Sequence, residues 1–112
     1  MNTELIKEIN GKEYRFKFKS KKIVDLEKIT GKSIIEQLKD MSMTNIARLL
    51  KYASLDEIDE YELLDNLLDT MTYEEIIDKI ILETCVVSGI ISKSDLDQVN
   101  MEIEKKKAEM NQ

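Results

Sequence analysis

Two residues near the start of the chain, Asn10-Gly11, constrain its fold more than any other feature. Both tolerate positive φ, which a two-residue hairpin turn needs at its two central positions. After them, Tyr14-Arg15-Phe16-Lys17-Phe18-Lys19 alternates with a period of two. That places Tyr14, Phe16 and Phe18 on one face of a strand and Arg15, Lys17 and Lys19 on the other. Before the turn, Leu5-Ile6-Lys7-Glu8-Ile9 alternates less cleanly. The pattern predicts an N-terminal β-hairpin from about Glu4 to Lys19. A lone hairpin is marginal in water, so its aromatic face has to pack on something.

From Ser20 onward the chain carries helical punctuation. Ser20 is placed to cap a helix carrying Ile23, Val24, Leu26 and Ile29, with Gly31 to end it. Ser33-Ile34-Ile35-Glu36 reads as a capping box for a short helix through Leu38. A third helix is expected from near Thr44 to Ala53, with Ile46, Leu49 and Leu50 inward. Asp59 or a neighbour then caps a segment bearing Leu63, Leu64, Leu67 and Leu68. Thr72-Tyr73-Glu74-Glu75 is a second capping box, opening a helix with Ile76, Ile77, Ile80, Ile81, Val86 and Val87 on several sides. An apolar residue on most sides marks a central helix. Gly89 loosens its end, and Ser94 or a neighbour caps a last helix whose charged tail, Glu102 to Gln112, is expected to fray. The fold class is therefore α+β, mainly α: a hairpin over residues 1–19 packed on about five or six helices over 20–112, in one domain.

Composition removes whole classes of chemistry. There is no histidine and one cysteine, so neither a Ser-His or Cys-His nucleophile pair nor the usual zinc site can be assembled within one chain. The three glycines stand alone at 11, 31 and 89, so no phosphate-cradling loop exists. Cys85 lies in an apolar run and reads as a buried, inert thiol. Asp56 to Glu62 and Asp95 to Val99 are rich in carboxylates, but Ile58, Tyr61, Leu96 and Val99 interrupt any calcium-loop pattern. Acidic residues of this kind are what a helix N-terminus favours. Glu74 and Asp78, one turn apart, are read the same way and not as an acid–base pair. The expectation is a protein without catalytic residues, metal or cofactor, that is, not an enzyme.

Charge is unevenly spread. Residues 1–32 hold nine cations against five carboxylates, and residues 33–112 hold eight against eighteen, for a net −6. An acidic body disfavours nucleic acid, because phosphate contacts are made by cations. A stacking platform on the Tyr14 strand would need aromatics and cations on one exposed face, and the alternation separates them. The basic N-terminal third is free to pair with the acidic remainder or with another subunit. Five methionines, Met41, Met43, Met71, Met101 and Met110, suit either core gaps or adaptable binding surfaces. No secretory leader and no membrane span is expected, since the apolar region from Ile76 to Ile91 is interrupted by Asp78, Lys79 and Glu83.

From Tyr14 to Leu55 the chain resembles the tail assembly chaperones of long-tailed bacteriophages, prophages and gene transfer agents. The resemblance lies in a series: the strand Tyr14-Arg15-Phe16-Lys17-Phe18, then Leu26-Glu27-Lys28-Ile29-Thr30-Gly31-Lys32-Ser33, then Ile34-Ile35-Glu36-Gln37-Leu38. It closes with Ile46-Ala47-Arg48-Leu49-Leu50-Lys51-Tyr52-Ala53-Ser54-Leu55. These are read as fold determinants, with Leu26 and Ile29 toward the core and Glu27 toward water. The resemblance implies a protein of the host bacterial cytoplasm that binds the tape measure protein and the tail tube protein before assembly. It also implies a longer frameshifted product, for which the lysine codons of Lys105 to Lys107 are the place to look. Two other readings stand beside it: a virion structural or connector protein, and a small acidic host adaptor or regulator.

Overall fold

The turn at Asn10-Gly11 forms as its residues dictate. In the computed structural model, which describes residues 3–110 apart from the side chains at 100, 103, 106, 107 and 110, Asn10 has φ 54° and Gly11 φ 79°. Strands β1 (Leu5–Ile9) and β2 (Lys12–Phe16) pair antiparallel around it, with Ile9 opposite Lys12 and Leu5 opposite Phe16. The β-ladder stops at Phe16, short of the expected Lys19, yet the alternation persists: Tyr14, Phe16 and Phe18 are all buried.

The ladder stops because β2 meets other partners. Arg15 N donates to Asp56 Oδ2 at 3.1 Å, and Leu55 N donates to the Arg15 carbonyl at 2.9 Å. Lys17 N donates to the Ala53 carbonyl at 2.8 Å, and Phe18 N to Ser88 Oγ at 2.9 Å. The outer edge of β2 is thus satisfied by chain far downstream, which removes a template for unwanted strand pairing.

Among the described residues six helices follow the hairpin, and the fold is α+β, mainly α. Helix α1 (Ser20–Thr30) departs from expectation in its cap and in its buried face. Its N-cap position is Lys19, whose side chain makes no capping bond, and Ser20 is already helical. Leu26 is fully buried, whereas Ile29 is 64% and Val24 46% exposed. Glu27 does not simply face water: its Oε2 accepts from Ile34 N at 2.9 Å and so caps the next helix. An 11-residue helix touching α2 and α3 on one side buries only a narrow stripe, and Ile29 falls outside it.

Helix α2 (Ile34–Gln37) starts at Ser33, whose Oγ accepts from Glu36 N at 3.2 Å. Glu36 bonds back to the Ser33 hydroxyl, not to its backbone, so the box is only half made. Between α2 and α3 (Met43–Ala53) sits Asn45, 3% exposed. Its Nδ2 donates to the carbonyls of Gln37 and Asp40, both at 2.8 Å, pinning the short helix to the long one. Ile46, Leu49 and Leu50 face inward as expected.

Asp59 caps α4 (Glu60–Leu68) by accepting from Tyr61 N and Glu62 N. Leu63, Leu64 and Leu67 are buried, while Leu68 is on the surface. Thr72 and Glu75 complete a reciprocal capping box for α5, residues 73–87. The middle of α5, Ile76–Leu82, is π-helical. The wider turn brings Ile76, Ile77, Ile80, Ile81 and Leu82 all into the core, more than one face of an ordinary helix can bury. Thr84, also buried, donates its hydroxyl to the Ile80 carbonyl. Helix α3 touches α1, α4 and α5, and the C-terminal end of α5 touches β1, where Lys7 and Glu83 pair at 3.6 Å. Helix α6 runs Lys93–Met110. The end of the charged tail, residues 111 and 112, lies outside the described residues.

Candidate functional site

A concavity is built by joining two parts of the chain that are about fifty residues apart. Helix α2 supplies Ile35; Leu38, its C-cap, lies just beyond, and Met41 follows in the loop. Ile90 and Ile91 come from the turn after α5, and Asp95, Gln98, Val99 and Glu102 from α6. Together they enclose a groove of about 620 Å³ with an apolar floor.

Local sequence explains why those segments sit still. Gly89, at φ 78°, ends α5 in a left-handed residue that a side chain would strain. Ile90 N donates to the Cys85 carbonyl and Gly89 N to the Val86 carbonyl, the paired bonds of a Schellman motif. Ser92 and Asp95 then open α6 reciprocally: Asp95 N donates to Ser92 Oγ and Ser92 N to Asp95 Oδ2, both at 3.1 Å. The capping residue is therefore Ser92, with Ser94 bonded to its hydroxyl. On the other wall, the Tyr73 hydroxyl donates to the Met41 carbonyl and fixes the loop. Burial, and then the nearby Asp40 charge, hold that hydroxyl protonated above its ordinary range.

The groove is amphipathic in a specific way. Its floor is Leu38, Ile91 and the half-buried Met41, Ile90 and Val99, with Ile35 44% exposed at the lip. Its α6 wall carries the carboxylates of Asp95 and Glu102. Lys39 stands on the opposite wall.

A second apolar surface lies around Ile29 and Tyr61, which are 64% and 63% exposed. They flank a shallow depression of about 220 Å³ shared with Ala47, Arg48, Lys51 and Tyr52. The Lys22 ammonium sits 5.9 Å from the Tyr52 ring centre, so this surface carries cations beside its apolar groups.

The carboxylate runs singled out from the sequence hold structural posts. Asp56 receives Arg15 N, Asp59 caps α4, and Asp95 caps α6. Glu75 closes the Thr72 box and bonds Lys79 at 3.0 Å; the Thr72 backbone bond, then Lys79, hold its carboxyl below the ordinary range. Among the described residues no group of three or more His, Cys, Asp or Glu side chains is placed to hold a metal ion. Cys85 is fully buried, and desolvation pushes its thiol up to about 12. Tyr14, Phe16 and Phe18 are core residues, so the strand presents no aromatic stacking surface.

The methionines divide. Met41 lines the groove and Met71 packs against the core, whereas Met43 and Met101 are exposed. The side chains of Met110, Lys106 and Lys107 lie outside the described residues. Among the described residues no helix is long and apolar enough to cross a membrane. Compared with protein-family models, curated proteins and solved structures, the chain matches none.

Proposed function

We propose that this chain is a non-enzymatic tail assembly chaperone of a bacteriophage or prophage, holding the tape measure and tail tube proteins in the host cytoplasm until the tail is built. The observation that carries the reading is the groove between α2 and α6. An apolar trough of about 620 Å³ with charged walls suits an apolar segment of another protein better than a small polar substrate. The net charge of −6 supports the same reading, because it would keep a complex with an aggregation-prone client soluble. The clients are those that the resemblance from Tyr14 to Leu55 implies.

Co-expression with the tape measure and tail tube proteins of the same genome tests it. The expected result is that at least one of them stays soluble and co-elutes with the chain, and that Val99→Glu, in the groove, reduces that yield. Co-elution with neither, or recovery of the chain in purified virions at structural stoichiometry, would overturn the proposal.

A further inference from the structure

The hairpin has two long edges, and the fold closes only the one on β2. Arg15 shows which residues face outward: its N–H and carbonyl bond Asp56 and Leu55, away from β1. In an antiparallel ladder the residue directly opposite such a position turns its own backbone groups outward too. That residue is Ile6, and Glu8, two positions on, points the same way. Among the described residues, the N–H and carbonyl groups of Ile6 and Glu8 have no hydrogen-bond partner. Charge along the same strands is unbalanced. Each cation within the two strands is engaged: Lys7 with Glu83 at 3.6 Å, Arg15 with Glu4 at 3.5 Å, and Lys12 at 5.2 Å from the Tyr14 ring centre. Glu8 and Glu13 stand opposite each other, both exposed, and among the described residues neither forms an ion pair. Like charges directly opposite weaken the ladder that carries them. Beside Glu8 on the same face is Ile6, 53% exposed.

We infer that the β1 edge takes a third strand: an extended segment of another protein, with a lysine or arginine opposite Glu8 and an aliphatic residue opposite Ile6. The added strand lies about 4.8 Å from β1 and bonds the free N–H and carbonyl groups of Ile6 and Glu8. Its side chains opposite those two share one face, so the cation and the aliphatic residue are two positions apart. The cation answers Glu8 and, one strand further, Glu13; the aliphatic residue covers Ile6. Main-chain bonds hold the segment, and the charge selects it. A second copy of the chain lacks this chemistry. The same face of β1 carries Glu4, Ile6 and Glu8 and no cation, so two copies laid edge to edge bring no positive charge to Glu8. The inference goes beyond the chaperone reading and does not rest on it, because the edge shares no residue with the groove.

The test uses the full chain, isotope-labelled for amide NMR and titrated with a short synthetic peptide that alternates lysine and valine on one face, with threonine on the other. A control peptide has glutamate in place of lysine. With the lysine peptide bound, the Ile6 and Glu8 amides should shift and exchange with solvent roughly tenfold more slowly. The glutamate peptide should bind roughly tenfold more weakly. N-methylation along the bonding edge of the lysine peptide should abolish its binding. Glu8→Lys, at an exposed position, should keep the fold, since it replaces a repulsion with Glu13 by an attraction, and should reverse the preference between the two peptides. Equal binding of the two peptides, no shift at Ile6 and Glu8, or shifts confined to the α2–α6 groove overturns the inference. So does protection of those two amides that appears on concentrating the chain without peptide, which would assign the edge to a second copy.

Discussion

Asn45 gives the sharpest test of how the helices are fastened together. Its amide donates to two carbonyls at 2.8 Å in a site 3% exposed. Each such bond contributes about 1 kcal/mol net, and a buried carbonyl left without a donor adds to the loss. The Gln37 carbonyl keeps a second donor, Asp40 N at 3.1 Å, and Asp40 is exposed to solvent, so the added penalty is small. Asn45→Ala should therefore cost about 2–3 kcal/mol. A chain of this size has a total stability of roughly 6–17 kcal/mol, and the melting temperature should fall by roughly 8–15 °C.

Asn45→Asp sharpens the argument, because a carboxylate cannot donate and would face two carbonyl oxygens. At pH 7 it should be less stable than Asn45→Ala. Its folded-state ionisation is opposed, so the aspartate pKa is raised above the unfolded ~3.9. The penalty is then absent below that unfolded value and grows as pH rises, until the folded value is passed. Urea denaturation of both variants from pH 3.5 to 7.5 reads the difference. An Asn45→Asp protein as stable as the wild type at pH 7, with no added pH dependence, would refute the reasoning.

Three further outcomes are expected. Phe16→Ala, at a fully buried strand position, should lower stability by about 3–5 kcal/mol in thermal or urea melts. Thr72→Ala removes the side-chain half of the α5 capping box and should cost about 1 kcal/mol by the same measurement. Cys85 should resist thiol reagents in the native state at pH 8 and react on unfolding. Its folded thiol holds its proton up to about 12, whereas an unfolded one ionises near ~8.5. The native state should therefore lose stability as pH rises above that unfolded value, with no effect below it.

Local chemistry announces itself in the sequence, and tertiary neighbours do not. Asn10-Gly11, Asp59 and Thr72 each act within four residues of their own position, so spacing locates the turn and the Thr72 box and brings the cap of α4 to Asp59 or a neighbour. Tyr14, Phe16 and Phe18 are legible as one face, although the last of them is held by Ser88 and not by a strand partner. Ile29 escapes the pattern because the period of α1 says which residues share a side, not how far α3 extends to cover them. Glu27 looks solvated because the N–H it accepts belongs to the next helix, seven residues on. The π-helical middle of α5 leaves only an excess of isoleucines as a clue. The groove is invisible in the sequence: Ile35 and Val99 are each ordinary until the fold sets α2 beside α6.

The stitching of β2 has a consequence for synthesis on the ribosome. Its backbone partners lie far ahead in the chain: Arg15 waits for Asp56, 41 residues later, and Phe18 for Ser88, 70 residues later. At about 5–20 residues per second, Ser88 is made roughly 4–14 s after Phe18. Until Asp56 is made the outer edge of β2 stays open, and until Ser88 is made Tyr14, Phe16 and Phe18 have no complete core to receive them. An aromatic strand that is among the first segments made thus waits for partners that come late in the chain. Translation pauses placed before residue 88 should lower the yield of native protein more than pauses placed after it.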